Sequence, residues 1–142
     1  MVLAQKDLAL FLVVGNDEIR DYLVNLLREH NHAPLVVSDI GESLQALKEC
    51  RFATVFLDCE SVLSFGPGIY SRIKVACPYC RIVLLCDKSH EEHRELIREA
   101  MEIGIYACLL APFEGWEVLA MVRRHQGRKP AKKRPSRKKS LS

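Results

Sequence analysis

The sequence predicts an α/β protein in which five parallel strands form a doubly wound sheet with helices on both faces. Five apolar runs with little polar alternation divide the chain, and such runs are typical of strands buried on both faces of a parallel sheet. A segment with the apolar spacing of a helix follows most of these runs. Strands that alternate with helices in this way favour an open sheet covered on both sides.

The elements begin with a strand at residues 8–14, the run LALFLVV. A helix at 19–30 follows it, because apolar residues recur there three and four positions apart. Asn16 or Asp17 is placed to cap that helix. The segment LVV then predicts a short strand at 35–37.

The central part of the chain continues with a helix at 42–50. The run FATVFL predicts a third strand at 52–57, which Asp58 closes. Residues 61–68 contain the sequence Gly-Pro-Gly and are predicted as a loop, because these residues favour turns over helices. A short helix at 69–76 follows this loop.

The last part of the chain repeats the alternation of strand and helix. Ser89, with Glu92 three positions later, predicts a capping box at a helix start, and Gly104 is placed to end the same helix. The predicted elements are a strand at 82–86, a helix at 91–103, a strand at 105–110 and a helix at 114–124.

The composition agrees with one folded domain, which we place at residues 1–125. The chain has 142 residues, of which 49% are hydrophobic and 27% charged, and this excludes collagen-like and wholly disordered proteins. No apolar run approaches the roughly 18 residues that a membrane-spanning helix needs. The first residues lack the features of a secretory signal, so we expect a cytoplasmic protein.

The residues that follow the predicted strands resemble a known family. The segments FLVVGNDEIRDYL, TVFLDCE, RIVLLCD and GIYACLLAPF are similar in order and spacing to the receiver domain of two-component response regulators, the CheY-like fold. The similarity extends over about residues 7–125. It implies that Asp58 is the phosphoacceptor candidate for a histidine kinase, with Mg²⁺ held by acids that follow the first strand.

Most pocket positions differ from the family pattern, so we predict an atypical receiver with an impaired phosphorylation site. Only Asp58 is retained. The degenerate positions are Gly15 and Asn16 in place of the acid pair, Cys86 in place of Thr or Ser, Ala111 in place of Lys, and Cys108 in place of the aromatic switch residue.

We expect the acidic residues beside these positions to form no more than a weak Mg²⁺ site. Asp17 and Glu60, together with Asp58, are the candidate ligands, and Glu18 lies in the same predicted loop. Carboxylates are the protein ligands that Mg²⁺ prefers. We therefore expect no firmly bound cofactor.

Six cysteines do not indicate a secreted disulfide scaffold in this chain. Cys50, Cys59, Cys86 and Cys108 lie in or beside apolar runs and are expected to be reduced thiols in the core. The segment CPYC at 77–80 resembles a glutaredoxin motif, but it follows a helix and precedes a strand. An ordinary connecting loop is therefore expected there, with a reversible disulfide as the alternative.

A zinc site formed by the CPYC cysteines and two histidines is not expected. Cys77 and Cys80 precede a predicted strand, whereas His90 and His93 follow it. A strand of five residues spans roughly 17 Å, too far for one tetrahedral site. Both histidines are expected to face solvent.

The charge distribution separates an acidic body from a basic tail. Residues 1–122 hold eighteen acidic and eleven basic residues, and residues 123–142 hold ten basic residues and no acidic one. We predict that residues 126–142 are disordered and attract polyanions. A nucleic acid, an acidic protein surface, an anionic membrane and a solvated tail remain the alternatives. The cations of this tail are Arg128, Lys129, Lys132, Lys133, Arg134, Arg137, Lys138 and Lys139.

The function predicted from these observations is that of a stand-alone, non-enzymatic receiver that binds signalling proteins. The last strand and helix carry candidates for a partner or homodimer surface: Tyr106, Phe113, Trp116 and Met121. Core packing under the last helix is the alternative for Phe113 and Trp116. One alternative function is a receiver that accepts a phosphoryl group on Asp58 from a histidine kinase. A further alternative is a nucleic-acid-associated protein that binds through its tail.

Overall fold

The computed structural model describes residues 9–126 apart from Asp39, Pro67 and Lys88, and it describes the side chains as far as residue 122. The predicted tail therefore lies outside the described residues, except for Gln126, and its disorder stays a prediction.

The described chain forms five parallel strands and six helices. The sheet order is β2-β1-β3-β4-β5, which confirms the predicted doubly wound α/β fold. The strands are β1 (Ala9–Val13), β2 (Leu35–Val36), β3 (Ala53–Asp58), β4 (Arg81–Cys86) and β5 (Ala107–Leu110). The helices are α1 (Asp17–Glu29), α2 (Ile40–Leu47), α3 (Cys59–Phe65), α4 (Ile69–Ala76), α5 (Glu91–Ile103) and α6 (Gly115–Gln126).

Two hydrophobic layers cover the sheet because successive strand residues point to opposite faces. In β1, Leu10 and Leu12 pack with α1 and α6, whereas Phe11 and Val13 pack with the other four helices. Leu12 is completely buried, and truncating such a leucine to alanine costs about 2–5 kcal/mol. Burial on both faces explains why the strand sequences are continuously apolar.

The prediction of a loop at residues 61–68 is wrong, because residues 59–65 form the helix α3. The carboxylate of Asp58 accepts a hydrogen bond from the Ser61 amide and so caps the helix, and Val62 anchors it in the core. Gly66, with a φ of 98°, ends it. Gly66, the first residue of the Gly-Pro-Gly sequence, thus terminates a short helix where a loop was predicted.

The predicted helix caps are confirmed at two ends and wrong at a third. Asn16 caps α1 by accepting from the Ile19 amide at 2.9 Å, and Gly104 ends α5 in the left-handed conformation. The Ser89 capping box is absent, since the Ser89 hydroxyl donates to Asp87 at 2.8 Å and α5 begins after His90.

Among the described residues, no helix has the length and apolar character needed to cross a membrane.

Candidate functional site

The carboxyl ends of the strands converge on a cavity of about 170 Å³. Residues that follow β1, β3, β4 and β5 contribute to its wall, as expected for a sheet of this topology. The residues that line it are Asn16, Ile19, Asp58, Cys59, Glu60, Leu85, Cys86, Asp87, His90, His93, Ala111 and Phe113.

The carboxylate of Asp58 is saturated by backbone donors. The Gly15 amide donates to both of its oxygens at 3.0 Å, the Asn16 amide donates at 2.9 Å, and the Ser61 amide donates at 3.0 Å. Asp58 is only 2% exposed. Its side chain therefore ties the loop after β1 to the start of α3.

The candidate Mg²⁺ ligands are only partly brought together. Glu60 lines the cavity with Asp58, but the Asp17 side chain is 80% exposed and pairs with Arg20 at 2.6 Å. The Oδ1 atom of Asn16 accepts from the Ile19 amide, so this amide oxygen is engaged within the helix cap. Glu18 is exposed. The donor set, as it stands, does not fit a magnesium site.

Of the other positions predicted to be degenerate, Cys86 and Ala111 line the cavity, whereas Cys108 is not among its lining residues. Cys86 is buried, and Ala111 follows β5, where its amide donates to the Cys86 carbonyl at 2.8 Å. Cys108 is half-buried, and burial raises the pKa of its thiol to about 11. Its Sγ lies 3.7 Å from the Met101 sulfur on α5.

The expectation of reduced thiols at Cys59 and Cys86 is wrong, because the structure joins them in a disulfide. Strand register explains the pair. Asp58 of β3 lies opposite Leu85 of β4, so the residues that follow them, Cys59 and Cys86, are neighbours. Their Cα atoms are 5.4 Å apart, within the range that a disulfide requires.

A second disulfide joins Cys77 to Cys80, also with Cα atoms 5.4 Å apart. This loop connects α4 to β4, as predicted, and both cysteines are buried. The structure therefore shows the disulfide that was the alternative expectation for the CPYC segment. Cys108 lies outside both disulfides.

A cluster of Cys59, Cys86 and His93 was missed by the sequence analysis. One ring nitrogen of His93 lies within 4.8 Å of both sulfur atoms, and the His93 Nδ1 atom accepts from the Asp87 amide at 3.0 Å. The expectation that His93 faces solvent is wrong, since His93 is partly buried at the cavity wall. His90 also lines the cavity but is exposed, as predicted. The two CPYC cysteines precede β4 and the histidines follow it, as predicted.

Electrostatics at the rim of the cavity favour a charged Asp87. Hydrogen bonds from the Ser89 hydroxyl and the Ser89 amide lower the pKa of this carboxyl below its ordinary value. The loop after β4 is therefore held by its own hydrogen bonds, and the Asp87 amide remains directed at His93.

The four surface candidates divide into one exposed residue and three packed ones. Trp116 is 68% exposed. Phe113 packs against the core and lies 6.3 Å from the Tyr22 ring, Tyr106 lies under the Arg81 guanidinium at 4.5 Å, and Met121 packs against the core. The core-packing alternative thus holds for Phe113 but not for Trp116.

Solved structures similar to this chain include receiver domains. The receiver domain of an HD domain-containing protein from Pseudomonas fluorescens Pf-5 aligns with a TM-score of 0.66 and 24% identity, covering 83% of this chain and 94% of that chain. The receiver domain of a sensor histidine kinase from Pseudomonas aeruginosa PAO1, with magnesium in its active-site cleft, gives 0.64 and 20%, covering 82% and 94%. A response regulator from Thermotoga maritima gives 0.63 and 19%, covering 82% and 95%.

These similarities establish the CheY-like receiver fold of the chain. No protein-family model matches the sequence, and no curated protein does.

Proposed function

We propose that this chain, which has the receiver fold, is a non-enzymatic protein-interaction module of signal transduction. Its Asp58 stabilises the fold and does not accept a phosphoryl group. The observation that carries the proposal is the set of four backbone hydrogen bonds to the Asp58 carboxylate. An oxygen of this carboxylate must leave its donors before it attacks phosphorus. Phosphoryl transfer would therefore disrupt the loop after β1 and the cap of α3.

The charge balance of the cavity supports the same conclusion. Phosphoryl transfer depends on a cation that neutralises the phosphoryl oxygens, and Mg²⁺ takes carboxylate ligands in near-octahedral geometry. Gly15 contributes an amide instead of a carboxylate, and Asp17 is engaged with Arg20. Ala111 lacks the cationic side chain of the lysine that the resemblance implies.

The surface assigned to partner binding is formed by α5, β5 and α6. β5 is an edge strand, and Met101 of α5 contacts Cys108 of β5 through its sulfur. Large apolar side chains are exposed on all three elements: Met101, Ile103, Leu110 and Trp116. Exposed apolar residues that include a tryptophan are typical of interfaces, and we assign this surface to a second copy of the chain.

The phosphorylation part of the proposal is tested with acetyl phosphate and Mg²⁺, with the intact mass and the amide NMR shifts around Asp58 as readouts. We expect no mass increase and no shift at Gly15 or Ser61. A gain of one phosphoryl group that Asp58→Asn abolishes would overturn the proposal in favour of an ordinary phosphorylatable receiver.

The assigned surface is tested by sedimentation equilibrium of the full chain. We expect a dimer that Trp116→Glu dissociates. Tyr79→Glu is the matched control, because Tyr79 is an aromatic residue of similar exposure, 70% against 68%, in the CPYC loop before β4. A monomer at all concentrations, or equal effects of the two variants, would contradict the assignment.

The charge separation along the sequence favours a second candidate function, binding of a nucleic acid through the tail. The eight lysine and arginine residues of residues 126–142, without an acidic one, attract a polyanion by counterion release. The absence of aromatic residues after residue 122 disfavours base stacking, so the binding would have little sequence preference.

A further inference from the structure

The disulfide between Cys59 and Cys86 differs from the second disulfide because it lies at the wall of the cavity. Both of its cysteines line the cavity at the carboxyl edge, although their exposed fractions are only 1% and 4%. Cys77 and Cys80 are as deeply buried but do not line this cavity. A small oxidant or thiol that enters the cavity therefore reaches the first pair.

The neighbouring histidine distinguishes a thiol site from a metal site. The His93 Nδ1 atom accepts the Asp87 amide hydrogen, so the neutral ring carries its own hydrogen on Nε2. A metal at Nε2 would require a hydrogen on Nδ1, which would face the Asp87 donor. The hydrogen bond thus disfavours metal ligation by this ring, whereas an imidazole with a ring nitrogen within 4.8 Å of both sulfur atoms favours a thiolate.

We propose that Cys59 and Cys86 form a reversible redox-modification site, oxidised by a hydroperoxide and reduced by a dithiol. The inference rests on the cavity, the strand register and His93, and it is independent of the interaction role proposed above. The two thiols at the carboxyl edge of the sheet undergo a two-electron oxidation that uses neither the Asp58 carboxylate nor a metal ion.

Oxidation proceeds in two steps. The Cys86 thiolate, the more exposed of the two, attacks one peroxide oxygen, and the O–O bond breaks to leave a sulfenic acid and, after proton transfer, water. The Cys59 thiol then attacks the Cys86 sulfur, the S–S bond forms and the S–O bond breaks, and the hydroxyl leaves with the thiol proton as a second water. Two thiols lose two electrons, and hydrogen peroxide gains them.

Reduction reverses the bond by thiol–disulfide exchange. One thiolate of a dithiol attacks a sulfur of the pair, and its second thiolate resolves the mixed disulfide. Both cysteine thiols are restored, and the dithiol leaves as its own disulfide.

Tryptic peptide mapping of the full chain separates the cysteines for this test. Cys59 falls in peptide 52–72, Cys86 in 82–88, the CPYC pair together in 75–81, and Cys108 in 99–123. The native chain is reduced with dithiothreitol, treated with hydrogen peroxide, alkylated with N-ethylmaleimide and digested. We expect a crosslink between peptides 52–72 and 82–88, formed at least about tenfold faster than oxidation of Cys108, whose thiolate is disfavoured. Dithiothreitol should remove this crosslink from the folded protein.

Two variants test the roles of the individual groups. In Cys59→Ala, the Cys86 sulfenic acid should persist and react with dimedone, with the fold checked by circular dichroism. His93→Ala should slow oxidation by about threefold or more, whereas His30→Ala should leave the rate unchanged. His30 is the matched control, because it is an exposed histidine at the end of α1 that does not line the cavity.

Three results would overturn the proposal. In the first, the two peptides stay separate and alkylated after peroxide treatment, so no disulfide forms. In the second, dithiothreitol fails to reduce the crosslink in the folded chain, which indicates a permanent structural disulfide. Alternatively, Zn²⁺ protects both reduced thiols from alkylation, which indicates a metal site. The peptide map of the unmodified chain gives these answers even if a variant fails to fold.

Discussion

The backbone amide of Gly15 donates to both carboxylate oxygens of Asp58, at 3.0 Å in each case. By its resemblance to receivers, Gly15 stands where an acid would help to hold a cation. The loop after β1 instead offers N–H dipoles to the one carboxylate that is retained. The negative charge of Asp58 is thus balanced by backbone donors, and its side chain links two loops of the cavity.

Replacing Asp58 should therefore reduce stability. Asp58→Ala leaves the amides of Gly15, Asn16 and Ser61 without their acceptor, and we expect a loss of about 2–3 kcal/mol in the free energy of unfolding. Urea denaturation measures it. Asp17→Ala is the matched control, since an exposed ion pair contributes at most about 1 kcal/mol. Equal losses of unfolding free energy in the two variants would show that the hydrogen bonds to Asp58 stabilise the protein no more than an exposed ion pair does.

Magnesium affinity should rise when the acid pair is restored. A Cβ atom on Gly15 would lie 3.4 Å from Glu60 Oε1, so an aspartate fits there beside a second carboxylate. Asp at position 16 retains the cap of α1. We expect Gly15→Asp with Asn16→Asp to bind Mg²⁺ about tenfold or more tightly than the weakly binding parent, as measured by calorimetry.

The control for this experiment adds the same two charges elsewhere. Asn25→Asp with Ser71→Asp places them on exposed positions of α1 and α4, and it should leave Mg²⁺ binding unchanged. Tight Mg²⁺ binding by the unmodified chain would contradict the prediction.

Removing the buried hydroxyl of Tyr70 should stabilise the protein. Within the described part of the chain, this hydroxyl has no hydrogen-bond partner, and Tyr70 is 1% exposed. Tyr70→Phe removes an unsatisfied polar group, and we expect a gain of about 1 kcal/mol in thermal or urea unfolding at neutral pH. Tyr79→Phe, on an exposed residue, should give no change.

The same residue predicts a pH dependence. Burial, with smaller contributions from Cys108 and Glu99, raises the pKa of Tyr70 from 10.0 to about 12. Between these values the unfolded chain has released the proton that the native chain retains, so stability falls as the pH rises. Tyr70→Phe should show a shallower fall from pH 10 to 12. An identical alkaline profile for the two proteins would contradict this prediction.

Polyanion binding should depend entirely on the tail. If about five cations engage phosphates, the affinity for duplex DNA should fall with a log–log salt slope of roughly −4 to −5, as measured by fluorescence anisotropy. Deleting residues 127–142 should abolish binding and leave the thermal midpoint unchanged. A tail with the same composition in scrambled order should bind equally well. DNA binding that survives the deletion would move the site to the folded domain.

The strands and the location of the cavity were predictable because both follow from apolar runs and from strand-end residues. Five continuously apolar segments give five buried strands, and the carboxyl ends of parallel strands meet at one edge. Asp58, Cys86 and Ala111 could therefore be placed near one another. The short helix α3 escaped prediction because it has only seven residues, of which only Cys59, Ser61 and Val62 are buried, and so few positions give no clear helical spacing.

The cysteine and histidine cluster required information that the sequence does not contain. Strand register decides that Cys59 lies beside Cys86, and a shift of one residue would separate the two sulfurs. The position of His93 further depends on how α5 docks on the sheet. Apolar patterns restrict which face a side chain takes, but in a sheet buried on both faces they leave the register open.

The strand order also determines how the sheet can grow during synthesis. β1 pairs with β2 and β3, so the first three strands to leave the ribosome are already neighbours. β4 then adds beside β3, and β5 beside β4. Each strand after the second joins the same advancing edge. A nascent chain can therefore assemble this sheet in one direction, as expected of vectorial folding from the amino terminus, and only the newest edge awaits its next strand.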